Sequence, residues 1–209
     1  MTLMLTIAIF LSAALTIAAH YTKRVQWYYI LKPLTTALII LLVFFNQSPG
    51  THTYKYLILS GLIFSLAGDI FLMLPKDRFI SGLVSFLIAH ILYIIAFAPG
   101  IVLPMQWWPG FFVLVFLIIL LRLILSGAAN LKIPVVVYAI IIGGLLWIAT
   151  ERMLNLGTFS ALQAAVGAAL FVASDSALAI RRFIRDFPAS EGIILATYYA
   201  AQLLIALSV

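Results

Sequence analysis

The chain has 209 residues, of which 66% are hydrophobic and 9% charged. Soluble domains carry about 25% charged residues, so a soluble globular protein is excluded. Net charge is +6, but the basic residues stand in short loops between apolar runs, where they serve as topology signals and lipid-headgroup contacts and give no reason to expect nucleic acid. The absence of cysteine rules out disulfides, thiol nucleophiles and Cys-based metal sites.

Apolar runs of about 17–22 residues between charge or Pro/Gly breaks predict eight membrane helices. They cover 2–19, 28–45, 55–74, 80–97, 108–125, 133–149, 158–180 and 192–208. No polar or Pro/Gly/Ser-rich stretch is long enough to be a linker, so one transmembrane domain over 1–209, all-α and polytopic, is expected.

The first run ends in Ala18-Ala19, as a signal peptide could, but its positive charges, Lys23 and Arg24, follow the apolar core, so it is read as a retained helix. The second opens at Trp27-Tyr28-Tyr29 and Lys32-Pro33. Lys32 can snorkel to water there, either as a topology signal or as a phosphate contact. A break with Pro49-Gly50 precedes the third run, which carries Gly68-Asp69 before Pro75-Lys76-Asp77-Arg78. The fourth holds Ser85, then His90 with Tyr93 one turn on. His90 reads as an interhelical hydrogen-bond partner or, in the sharper alternative, as a proton carrier. Trp107-Trp108 opens the fifth, Lys132 and Pro134 the sixth, which bears Tyr138 and ends near Trp147. Glu151-Arg152 beyond it is expected to be a solvated surface pair. The seventh holds Ala173-Ser174-Asp175-Ser176, and after a break with Pro188 the eighth carries Thr197, Tyr198, Tyr199 and Gln202.

Alternate loops hold ten basic residues and the opposite loops only Lys55 and Arg152. This asymmetry predicts the basic loops inside and both termini on the non-cytoplasmic side. The third and seventh spans then both run inward, and each aspartate lies about six residues before the cytoplasmic break, roughly 9 Å deep. An ionisable group in a membrane helix costs roughly 2.5–3.5 kcal/mol on insertion scales and needs a partner, a cavity or a task. Two at one depth, beside small residues, fit a common site in which neighbouring carboxyls divide donor and acceptor roles. Superimposing Asp69 on Asp175 also pairs Gly61 with Gly167 and Ala67 with Ala173. A parallel four-plus-four pseudo-repeat would bring the third and seventh helices together.

Other chemistries lack their residues. The three histidines include His20 and His52 in loops on opposite sides, too scattered for a zinc hydrolase. Every lysine is at a span end, which excludes a retinal site, and neither a Gly-x-Ser-x-Gly elbow nor a phosphate-binding Gly-Lys-Ser/Thr loop occurs. Acid–base work by carboxylates, with no metal or other cofactor, remains.

Lys32-Pro33, Gly68-Asp69, His90 with Tyr93, Ala173-Ser174-Asp175, and Tyr198-Tyr199 with Gln202, in this order on eight spans, resemble the YhhN-like lysoplasmalogenase family across the whole chain. The resemblance implies hydrolysis of the vinyl ether bond of lysoplasmalogens to a fatty aldehyde and glycerophosphocholine or glycerophosphoethanolamine, with Asp69 and Asp175 catalytic. Lys32, His90, Tyr93, Tyr138, Tyr198, Tyr199 and Gln202 are the expected substrate-binding set, and the lysophospholipid and surrounding membrane lipids the expected partners. Two alternatives stand beside it: a proton-coupled transporter using the buried acids, and a receptor or assembly protein in which they are interhelical glue.

Overall fold

A computed structural model of the chain describes residues 2–46 and 51–209, so the Pro49-Gly50 break lies outside the described residues. It contains α1 (Thr2–Tyr21), α2 (Val25–Phe45), α3 (His52–Met73), α4 (Phe79–Phe97), α5 (Trp107–Ile124), a 3-10 turn (Ala129–Leu131), α6 (Lys132–Leu156), α7 (Phe159–Phe183) and α8 (Ser190–Leu207). All eight α-helices are long and apolar enough to cross a membrane, and no strand occurs among the described residues. Helices suit that setting because they satisfy every backbone polar group within the segment.

Local signals set the ends. Thr51 and Thr158 cap α3 and α7, their side chains accepting hydrogen bonds from the backbone of Tyr54 and Ala161. Gly157 ends α6 in the left-handed region at φ 59°, where a residue without Cβ is unstrained. Several helices outrun the predicted spans. α2 begins at Val25, which puts Pro33 two turns inside the helix, whereas Pro134 lies in the first turn of α6. α6 continues to Leu156, so Glu151 and Arg152 are helical, and α7 continues through Arg181 and Arg182.

Packing is pairwise: α1 on α2, α3 on α4, α7 on α8, with α6 against α4 and α7 and α5 on its flank. α8 is the innermost helix, touching α1, α2, α3 and α7. Tyr93, Phe97 and Phe171 are the largest fully buried side chains, and Ile39, Leu62 and Leu195 pack into the same core. Small residues permit the close approaches. A Cβ on Gly68 would stand 2.6 Å from the Phe86 ring, and one on Gly167 would stand 2.8 Å from Ile205. The outer faces, with Phe10, Phe112, Ile119 and Ile140 exposed, are apolar as lipid contact requires.

One expectation is corrected. α3 and α7 are not packed along each other among the described residues; α4 and α8 are their closest neighbours, and a cavity separates the carboxyl-bearing faces.

Candidate active site

A cavity of about 480 Å³ opens at the end of the bundle that carries the α3–α4 and α7–α8 loops. Asp69 and Asp175 both line it. They stand four and eight residues before the ends of α3 and α7, because α7 projects further than its apolar run suggested. Neither faces lipid: Asp69 is 2% exposed and Asp175 half-buried.

Each acid is served by hydroxyls from other helices. Asp69 Oδ2 accepts hydrogen bonds from Thr36 Oγ1 and Tyr198 OH, both at 2.7 Å. Asp175 Oδ2 accepts one from the Tyr138 phenol. Thr36 is one turn beyond Lys32 on α2, so a single helix face presents an ammonium to the cavity and a hydroxyl to Asp69. The phenols are fixed from behind by aromatic packing. Tyr198 meets Phe86 edge to face at 5.8 Å and Phe171 at 5.6 Å, and the Phe171 ring in turn packs on His90 at 4.5 Å. Such pairs add about 0.5–1.5 kcal/mol each beyond their buried area, enough to hold a phenol in one orientation.

Nearer the mouth is a buried charge chain. Lys32 Nζ donates to Tyr28 OH at 3.2 Å, Tyr28 donates to Glu191, and Glu191 is ion-paired with Arg181. The rim carries Arg78, Arg182, Asp77 and Asp186. Asp77 on the α3–α4 loop is bridged to Arg182 on α7 at 2.5 Å, and the Arg182 guanidinium lies 5.0 Å from the centroid of the Phe79 ring. The hydrogen bond from Arg182, and then that from the backbone of Phe79, hold Asp77 below the ordinary carboxylate range. Asp186 is likewise held low, chiefly by the Ser190 hydroxyl.

Among the described residues no three His, Cys, Asp or Glu side chains gather as a metal site would require. Two acids with hydroxyl donors at the inner end and charges of both signs at the mouth give the cavity groups able to donate and accept protons.

A sequence profile of the YhhN family matches residues 27–209. The chain belongs to the YhhN family. It is 33% identical over 199 residues to the uncharacterized membrane protein YhhN of Escherichia coli O157:H7, covering 95% of both chains. It is 36% identical over 172 residues to lysoplasmalogenase TMEM86A of Bos taurus, covering 76% of this chain and 67% of that one. Lysoplasmalogenase TMEM86B of Rattus norvegicus is 35% identical over 174 residues, covering 82% of this chain and 68% of that one. No solved structure matches the chain. With eight spanning helices and these relatives, it is an integral multi-pass membrane protein.

Of the residues singled out in this YhhN-family sequence, Lys32, Asp69, Asp175 and Tyr198 line the cavity, and Tyr138 lines an apolar crevice that joins it at Asp175. Tyr93, Tyr199, Gln202 and His90 do not line it. Tyr93 donates to Gln202 Oε1 at 2.8 Å, and Tyr199 reaches the Lys32 carbonyl at 3.4 Å, so these stand behind the site as its framework. His90 does not make the interhelical hydrogen bond read from sequence. Both its nitrogens are buried without a partner, because the ring is enclosed by Phe171 and Tyr138. Glu151 is also corrected: it is fully buried, accepts from Trp147 at 3.3 Å and has one oxygen unpartnered, so it is no solvated surface pair.

Sequence reasoning missed Thr36, Tyr28, Glu191 and Arg181. Glu191 carried a signal, as one of only six acidic residues in the chain and the only one in the first turn of a helix. Thr36 carried a weaker one, its spacing of four from Lys32.

Proposed function

We propose that this protein is an intramembrane hydrolase that cleaves the vinyl ether bond of lysoplasmalogens, releasing a fatty aldehyde and the glycerophospho-headgroup. The observation that carries this reading is the pair of carboxyls lining one cavity, each receiving a hydroxyl hydrogen bond, at the inner end of a pocket with a charged rim. The relatives named lysoplasmalogenases support the substrate class.

The chemistry needs no cofactor. A carboxylic acid protonates the vinyl carbon farther from the ether oxygen, and the electron pair of the double bond forms the new C–H bond. The resulting oxocarbenium ion is stabilised by the second, ionised carboxylate. That carboxylate takes a proton from water as the water oxygen adds to the cationic carbon, forming a hemiacetal. Collapse then breaks the carbon–oxygen bond to glycerol: the second carboxyl gives its newly gained proton to the glycerol oxygen, and the hemiacetal hydroxyl passes its proton to the first carboxylate as the aldehyde forms, which restores both groups. We assign proton delivery to Asp175, which stands where the cavity meets the apolar crevice. Asp69, accepting two hydroxyl donors, is assigned the stabilising and water-activating role. Lys32, with Arg78 at the rim, is assigned to the phosphate.

Incubating the purified protein with a lysoplasmalogen and with its saturated-ether analogue tests the reading. Aldehyde from the first and none from the second is expected; no aldehyde from either contradicts it. A proton-coupled carrier is the second reading, favoured by the buried, half-unpartnered Glu151 at the opposite end of the bundle. It requires solute movement driven by a pH gradient in vesicles with the solute chemically unchanged.

A further inference from the structure

Beside the polar cavity a narrow crevice runs between α4, α6 and α7. Leu83, Val135 and Ala179 line it, and it shares Leu72, Phe86 and Leu178 with the cavity. Its polar groups are Asp175 and Tyr138, which are hydrogen-bonded to each other at the junction. Asp69 lines the cavity but not the crevice. On the loop side the Phe79 and Phe183 rings meet edge to face at 5.7 Å, next to the rim charges. Close in sequence to its lining residues, Val84 on α4 and Ile133 and Val137 on α6 are exposed and apolar. α4 and α6 pack closely, as do α6 and α7, whereas α4 and α7 meet through side chains such as Phe79 with Phe183 and His90 with Phe171.

We propose that this crevice is the subsite for the single hydrocarbon chain of a lysophospholipid, threading it from the bilayer to the Asp175 carboxyl. The assignment rests on the hydrolase reading for what happens to the chain, though not for its seat. A chain-bearing substrate must put its headgroup among the rim charges and its tail in hydrocarbon. The vinyl ether is the first link of that tail, so it falls where the polar and apolar spaces meet. Water and polar solutes gain nothing in a slot walled by Leu, Val and Ala, whereas each methylene removed from water there is stabilised by roughly 0.8 kcal/mol. The slot is narrow, and a lipid with a second chain would have to lodge that chain in the charged cavity. Selection for one-chain lipids follows from the shape.

Two measurements decide this. In the first, a lysophospholipid with a photoactivatable group at the chain terminus is irradiated with the protein in nanodiscs and the adducts are mapped by mass spectrometry. Adducts on the crevice faces of α4, α6 and α7, competed by unlabelled lysophospholipid and not by a two-chain phospholipid, are expected. Adducts confined to other faces, or equal competition by the two-chain lipid, overturn the assignment, and neither result depends on turnover. In the second, Ala179→Phe, which fills the slot, and Leu83→Ala, which widens it, are compared on long-chain and short-chain alkenyl substrates. The ratio of kcat/KM for long over short chains is expected to fall about tenfold in Ala179→Phe, the equivalent of losing two or so buried methylenes. In Leu83→Ala, which keeps the fold where the larger side chain does not, KM is expected to rise for the long chain and to stay level for the short one. An unchanged ratio in whichever variants fold overturns the proposal. A wild type that binds the probe in the crevice yet releases no aldehyde sinks the hydrolase reading alone.

Discussion

Asp69 and Asp175 differ in what surrounds them, and on the proposed mechanism that difference separates their roles. Asp69 receives two hydroxyls from α2 and α8, while Asp175 receives one from α6 and borders the apolar slot. A hydrogen bond from a neutral donor to a charged acceptor contributes about 1.5–3 kcal/mol, which on the proposed mechanism applies to Asp69 throughout and to Asp175 as its proton leaves. Removing the Tyr138 or the Tyr198 phenol as Tyr138→Phe or Tyr198→Phe is therefore predicted to lower kcat by roughly 10- to 100-fold with KM little changed. Steady-state kinetics on an alkenyl lysolipid check this, and a pure KM effect would show that the phenols only help binding. The residues legible in the sequence were the costly ones: two acids in apolar surroundings announce themselves. Of their hydroxyl partners, Tyr138 and Tyr198 were singled out by their depth, whereas Thr36 was not, because hydroxyls are common in membrane helices and only the fold says which of them meets a carboxylate.

At the scale of helices, the apolar runs specified eight elements because each must supply roughly 20 apolar residues to cross the bilayer. Their ends were less legible. α6 and α7 continue past the apolar window on polar residues that pack or pair, Glu151 beneath Trp147 and Arg182 with Asp77. Which face of each helix looks inward was hidden too, since lipid and protein interior are both apolar and leave weak periodicity. Gly68 is the exception, a small residue where α3 meets α4. Gly68→Ala is predicted to push the Phe86 ring out of place, destabilise the protein by about 1–3 kcal/mol and narrow the cavity. Thermal unfolding in detergent measures the first effect, and unchanged melting would mean that the ring yields freely. The Asp77–Arg182 bridge between the α3–α4 loop and α7 makes a second test. Asp77 is held below its ordinary value, so its contribution is present above the normal carboxylate range and is lost as pH falls through that lowered value. The melting difference between wild type and Asp77→Asn is expected to be small, because the group is exposed, and to vanish on acidification.

For the whole molecule, the charge asymmetry between alternate loops gives an orientation that can be read directly. The chain has no native cysteine, so single cysteines report accessibility without background. Ser126→Cys in the α5–α6 loop is predicted to resist a membrane-impermeant thiol reagent in intact cells, and Asn155→Cys near the end of α6 to react. The reverse pattern would put the cavity on the other side of the membrane. The proposed pseudo-repeat has mixed support in the packing. α3 with α4 corresponds to α7 with α8, and α4 with α6 to α8 with α2, but Pro33 and Pro134 occupy different depths in their helices. On the proposed mechanism what matters is that α3 and α7 each deliver one acid to the same cavity. Asp69→Asn and Asp175→Asn keep the size of each side chain and remove only its proton chemistry. Aldehyde release from a lysoplasmalogen by these variants, measured alongside lysolipid binding, is the decisive experiment. Loss of turnover by at least about 100-fold in both, with binding retained, is the predicted result; near-normal release by either would contradict a shared carboxyl mechanism.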